Sequence, residues 1–189
     1  EYIASTKAWG KGRLIWAQHN EHRIIWDRMI ALTEYKLFGQ VNFKSFIMIG
    51  NAALIVTLFV LYKAVLSRHP VHLFYLIPVA PILFSYRFWE ASYWPMAAIQ
   101  ILWVLCFTLI SLYFLFKEKP YSIYLAVLFA WMATYTSANG MLTFVAGTFV
   151  LILNNITGKK VQISKQNKGE EKAEETSRFP FFKFAVWIA

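Results

Sequence analysis

Residues 46–66, FIMIGNAALIVTLFVLYKAVL, form an apolar run broken by one charge, Lys63. A hydrocarbon layer needs about 20 apolar residues in a helix, which satisfies its own backbone N–H and C=O groups without water. This run meets that length, and Lys63 near its end can reach back to the surface along its apolar stem. A second run, residues 96–116 (MAAIQILWVLCFTLISLYFLF), is a full span with no charge. The composition points the same way: 58% hydrophobic, 19% aromatic and 15% charged is too apolar for a soluble domain of 189 residues. The expected fold class is all-α, a polytopic transmembrane helical bundle.

Other segments extend the count. Residues 71–88, VHLFYLIPVAPILFSYRF, are marginal in length and carry Pro78 and Pro81, so a kinked span is expected. After KEKP come residues 121–135 (YSIYLAVLFAWMATY), the break TSANG and residues 141–156 (MLTFVAGTFVLILNNI). Each is short for a straight crossing, so they read as thin spans or as a helix pair broken around Asn139 and Gly140. The sum is about five membrane helices within residues 43–156. Residues 157–179 are polar and charged throughout and read as a solvated loop. Residues 180–189 read as the start of a truncated span. The whole chain, 1–189, is expected to be one membrane domain, and its two ends read as cuts in a larger protein.

Lys63, Arg68, Lys117, Lys119 and the basic residues of 157–179 share one predicted side, which the positive-inside tendency makes cytoplasmic. The external side then holds residues 1–42, the 89–95 turn and the SANG turn. The net charge of +9 fits topology control and attraction to anionic lipid, and nucleic acid is not expected as a partner. The single cysteine, Cys106, lies in an apolar run and reads as a small residue facing lipid or core. The sequon at Asn155 falls on the cytoplasmic side and carries no expected meaning.

Just before the first span lies WAQHNEHRIIWDRM, residues 16–29. Residues 18–38 contain no Pro or Gly, and a helix at 100° per residue sorts them into two arcs. His19, Arg23, Asp27 and Glu34 share one, with Asn20 at its edge. Ile24, Ile25, Met29, Leu32 and Tyr35 make the other, which suits an N-terminal amphipathic helix lying flat on the external interface. Arg23 and Asp27 are four apart and can pair as an ordinary surface feature. Glu21 and Arg28 fall within the apolar arc, where a charge is expensive unless paired or solvated in a cavity. For Glu21 a frayed helix start in water is an equal alternative to a functional role.

A second group on the external side is YRFWEASYWPMAAIQ, residues 86–100. Pro95 suits the first turn of a helix, and Trp89, Tyr93 and Trp94 suit the aromatic belt. A belt does not account for Glu90 at the bilayer edge or Gln100 within the span. The third group, SANG, brings Asn139 and Gly140 to the same side; taken alone it reads as a tight turn.

The three stretches, HNEHRIIWDRM, WEASYWPMAAIQ and TSANGMLTF, resemble in order and side the bacterial polytopic glycosyltransferases of the GT-C type. The resemblance covers most of residues 16–151. It implies transfer of a sugar from a polyprenyl-phosphate donor to a glycan or lipid acceptor outside the cytoplasm, in the bacterial inner membrane. Glu21, His22 and Arg23 match the family's Glu-His-Arg, and Trp94, Gln100 and Gly140 match the later motifs. The family's usual catalytic carboxylate lies upstream of the first motif and has no counterpart here. The implied site has Glu21 as catalytic carboxylate, with His19, Asn20, His22, Arg23, Arg28, Glu90, Tyr93, Trp94, Gln100 and Asn139 binding substrate.

The residue types suit that chemistry. A carboxylate can deprotonate the acceptor, and cationic groups can hold the departing phosphate. Arginine grips phosphate with two parallel hydrogen bonds, and histidine exchanges protons near neutrality. Trp26, Trp89 and Trp94 can stack on sugar faces. The chain has no Asp-x-Asp, no His/Cys cluster with metal-ligand spacing and no Gly-rich phosphate loop, so no metal or other cofactor is expected. A transporter or lipid flippase is the alternative, since kinked spans and broken helices also serve transport. In-span polar residues are then expected, and only Asn51 and Gln100 qualify. A non-catalytic scaffold ranks third.

Overall fold

The computed structural model describes residues 24–66, 77–117, 121–166 and 185–187, with Phe74 and Lys119 as isolated positions. Every regular element among them is helical. In chain order these are α1 (Ile25–Phe38), α2 (Phe43–Leu66), α3 (Val79–Leu83), a 3-10 turn (Tyr86–Phe88), α4 (Trp89–Tyr93) and α5 (Pro95–Ala97). A π-helical turn (Ala98–Leu102) leads into α6 (Trp103–Leu115), followed by α7 (Ser122–Thr136), a 3-10 turn (Ala138–Met141) and α8 (Leu142–Gln166).

Local chemistry sets the boundaries. α1 stops at Phe38, where the sequence placed its end, because Gly39 takes φ 72° and donates its N–H to the Tyr35 carbonyl at 2.9 Å. That left-handed C-cap costs a glycine little. The Asn42 side chain accepts from the Lys44 N–H at 3.0 Å, covering a free donor at the start of α2. Pro95 opens α5 at its first turn, as expected from the sequence. The extended backbone of Trp94 before it (ψ 116°) separates α4 from α5.

Two helical stretches are long and apolar enough to cross a membrane, Phe43–Ala64 (22 residues) and Pro95–Leu115 (21 residues). Among the described residues these two are the candidates by length and composition, against the five expected, with Ser122–Thr136 and Ala138–Asn154 as shorter apolar helices. The kinked span expected over residues 71–88 is not continuous among its described residues. Pro78 caps α3, Pro81 lies inside it, and the helix ends after five residues. The chain then turns at Ser85, whose hydroxyl accepts from the Arg87 N–H at 3.3 Å. Conversely, α8 runs on to Gln166, through residues whose polarity read as loop.

Packing is by small residues. Ser122, Ala126, Ala130 and Ala133 of α7 are fully or almost fully buried. Their spacing of four, four and three lays them along one side of the helix, where α6 comes close. The Ser111 hydroxyl of α6 donates to the Ala126 carbonyl at 2.7 Å, and Thr108 and Thr143 share a hydroxyl–hydroxyl bond of 2.7 Å. Gly50 of α2 meets Ala98 so closely that a Cβ there would overlap the Ala98 Cβ, and the Trp103 indole donates to the Ile49 carbonyl at 3.0 Å. Close backbone approach with interhelical hydrogen bonds is how helices associate where the surroundings are as apolar as leucine. The outside is correspondingly greasy: Met48, Ile55, Phe59, Leu105, Leu128 and Phe149 are all exposed.

Candidate functional site

Trp26 fixes how α1 sits. Its ring lies edge-on to Trp103 (centroids 5.7 Å apart, 60°) and to Phe107 (5.6 Å, 79°), and Phe107 continues to Phe129 at 6.0 Å. The helix thereby packs over the π turn and α7. Trp26 is thus part of an internal aromatic stack with Trp103 and Phe107.

This docking departs from the expected amphipathic arrangement. Ile24 and Ile25 are buried, but so are Asp27 (4% exposed), Glu34 (6%) and Arg28 (8%), while Met29, Tyr35, Leu37 and Phe38 are exposed. Residues 27 and 34 are seven apart, two helical turns, so both carboxylates stand on one face. The expectation that these charges turn to water is therefore corrected for Asp27 and Glu34, which face the bundle. Asp27 is not a surface residue, and Arg23, its expected partner, lies outside the described residues.

The polar groups buried on this face are not all satisfied. Among the described residues, neither oxygen of Asp27 has a hydrogen-bond partner, nor does Oε2 of Glu34 or the indole Nε1 of Trp26. Burial pushes the Asp27 carboxyl up from 3.8 to about 7. Its own backbone N–H, then the Gln100 side chain, then the Arg28 guanidinium draw it back only in part. Gln100 sits in the middle of the π turn, a distortion that recurs at functional sites.

A second feature lies on the other side of the π-turn region. A groove of about 280 Å³ runs between α2 and residues 83–93, walled by Leu54, Leu83, Phe84, Trp89 and Tyr93. Asn51 in its floor donates through Nδ2 to the Ile47 and Ser92 carbonyls, both at 2.8 Å, tying α2 to α4. Its amide nitrogen is thereby satisfied within an apolar helix.

The predicted residues divide accordingly. Glu21, His19, Asn20, His22 and Arg23 lie outside the described residues. Arg28 and Gln100 come together around Asp27. Tyr93 lines the groove, whereas Glu90, Trp94 and Asn139 are exposed. Glu90, Tyr93, Trp94 and Ala97 do not share one continuous helix, because the chain breaks at Trp94. In SANG, Gly140 presses on the Ala133 backbone with no room for a Cβ, and its N–H donates to the Ser137 carbonyl at 2.9 Å. Sequence reasoning passed over Asp27 and Glu34. The available signal was that a charged arc beside membrane-grade spans turns inward when lipid lies outside.

No protein-family model, curated protein or solved structure matches the chain.

Proposed function

We propose that the chain belongs to a bacterial multi-pass inner-membrane glycosyltransferase that moves a sugar from a polyprenyl-phosphate donor to a glycan or lipid acceptor outside the cytoplasm. The observation carrying this reading is the packing of α1, which follows Asn-Glu-His-Arg, onto the π turn bearing Gln100 of the second motif. Two stretches some 70 residues apart in the chain meet at one place. In this reading α7 and α8 complete the set of spans as short crossings. Glu21 takes the acceptor proton, while His19, Asn20, His22, Arg23 and Arg28 hold the phosphate and sugar. Glu90, Tyr93, Trp94, Gln100 and Asn139 bind along the external edge, and the groove beside Tyr93 offers an apolar wall. At 4% exposure Asp27 is closed to an acceptor in this conformation.

The test is transfer of a radiolabelled sugar from its polyprenyl-phosphate carrier by the full-length protein. Arg23→Lys keeps the charge but loses the two-pronged grip, so it retains partial activity, and Arg23→Ala loses nearly all. Normal turnover by Arg23→Ala contradicts the reading.

The buried carboxylates Asp27 and Glu34 favour a second reading, a proton-coupled transporter, because such chains carry inward-facing acidic groups. Solute uptake into proteoliposomes driven by a proton gradient, without sugar transfer, selects it.

A further inference from the structure

α1 brings three ionisable side chains into its packed face: Asp27, Glu34 and Arg28. Among the described residues, the elements packed against it, the π turn, α6 and α7, bring no Asp, Glu, Lys, Arg or His. The π turn is Ala-Ile-Gln-Ile-Leu; α6 offers only Cys106 and Tyr113 as titratable groups, and α7 only Tyr124 and Tyr135. Ionised, this face would hold two carboxylates against one guanidinium in apolar surroundings. A buried charge without a partner costs several kcal/mol or more, so proteins neutralise it instead.

We propose that the interface between α1 and the π turn is a proton-binding site, in which the Asp27 carboxyl takes up a proton from water as α1 docks and releases it as α1 leaves. Among the described residues neither Asp27 oxygen has a hydrogen-bond partner at 4% exposure, so docking strips the carboxylate of water, and the nearby Gln100 side chain and Arg28 guanidinium offset only part of that loss. Adding one proton removes the excess negative charge and needs no space. A metal ion needs several more ligands, and no group of three or more His, Cys, Asp or Glu suited to a metal occurs among the described residues. The raised carboxyl, near 7, agrees with this and puts the exchange at ordinary cellular pH. The inference does not rest on sugar transfer.

Infrared spectroscopy of the full chain in lipid nanodiscs tests it through the C=O stretch of a protonated carboxylic acid. At mildly acid pH a band is expected that fades as pH passes about 7 and is missing from Asp27→Asn but kept in Glu34→Gln. Gln100→Leu removes a group that lowers the Asp27 value, so fading moves to higher pH. The Gln100→Leu arm keeps the test decisive if Asp27→Asn folds poorly. A wild-type spectrum without such a band, or one unchanged by Asp27→Asn, overturns the proposal. So does a band that appears only when sodium is replaced by choline, which makes a metal cation the occupant.

Discussion

Trp26 stands edge-on to Trp103, their ring centres 5.7 Å apart. This contact joins α1 to α6, the second of the two long apolar helical stretches. It also decides which side of α1 is inside: with the indole seated there, its neighbours Asp27 and Arg28 turn inward and Met29 outward.

Removing that anchor should release α1. Trp26→Ala is expected to cost on the order of 3 kcal/mol, the range for truncating a large aromatic in a packed interior. Hydrogen exchange should rise over residues 25–38 while α6 and α7, held by Ser111 and the alanine side of α7, stay protected. Uniform protection in the variant would show that the stack does not hold α1.

The docked state should weaken with rising pH. The docked Asp27 carboxyl titrates near 7 against 3.8 for the free group, so between these values the docked form keeps a proton that the undocked form has lost. Stability from this group is full below the lower value and falls as pH rises through the upper one, by on the order of 4 kcal/mol. Unfolding midpoints measured across that window should decline in wild type and lose this slope in Asp27→Asn.

Gly50→Ala should push α2 away from the π turn, because the added Cβ meets the Ala98 Cβ and comes within 2.6 Å of its carbonyl carbon. Overpacking of this kind costs about 1–3 kcal/mol. Gly39→Ala is the control: it has open space, so it suffers only the left-handed backbone penalty at φ 72° of about 1 kcal/mol. Distance measurements between spin labels on α2 and α6 should change for Gly50→Ala alone.

Hydropathy and turn chemistry made part of this fold legible. The two long apolar helices, the stop at Phe38 and the start at Pro95 follow from run length, a left-handed glycine and a proline that needs no N–H. Over residues 71–88 the prolines predict a kink in one span, whereas α3 starts after Pro78 and ends at Leu83, giving a five-residue helix. α8 overran its apolar stretch because a helix continues through polar residues to Gln166, which hydropathy alone reads as loop. In the site, Arg28 and Gln100 stood out as polar groups in apolar places. Asp27 and Glu34 did not, because periodicity separates two faces without saying which one is inside.

Accessibility along α1 tests the inward charged face most directly. Single cysteines at positions 27, 29, 34 and 37, in a Cys106→Ala background, can be spin-labelled in proteoliposomes and probed with lipid-soluble oxygen and a water-soluble nickel chelate. The burial pattern predicts that positions 27 and 34 are shielded from both and that 29 and 37 are open to oxygen. Nickel access at 27 and 34 with oxygen access at 29 and 37 would instead describe a helix floating on the membrane surface with its charges in water, and would contradict the account.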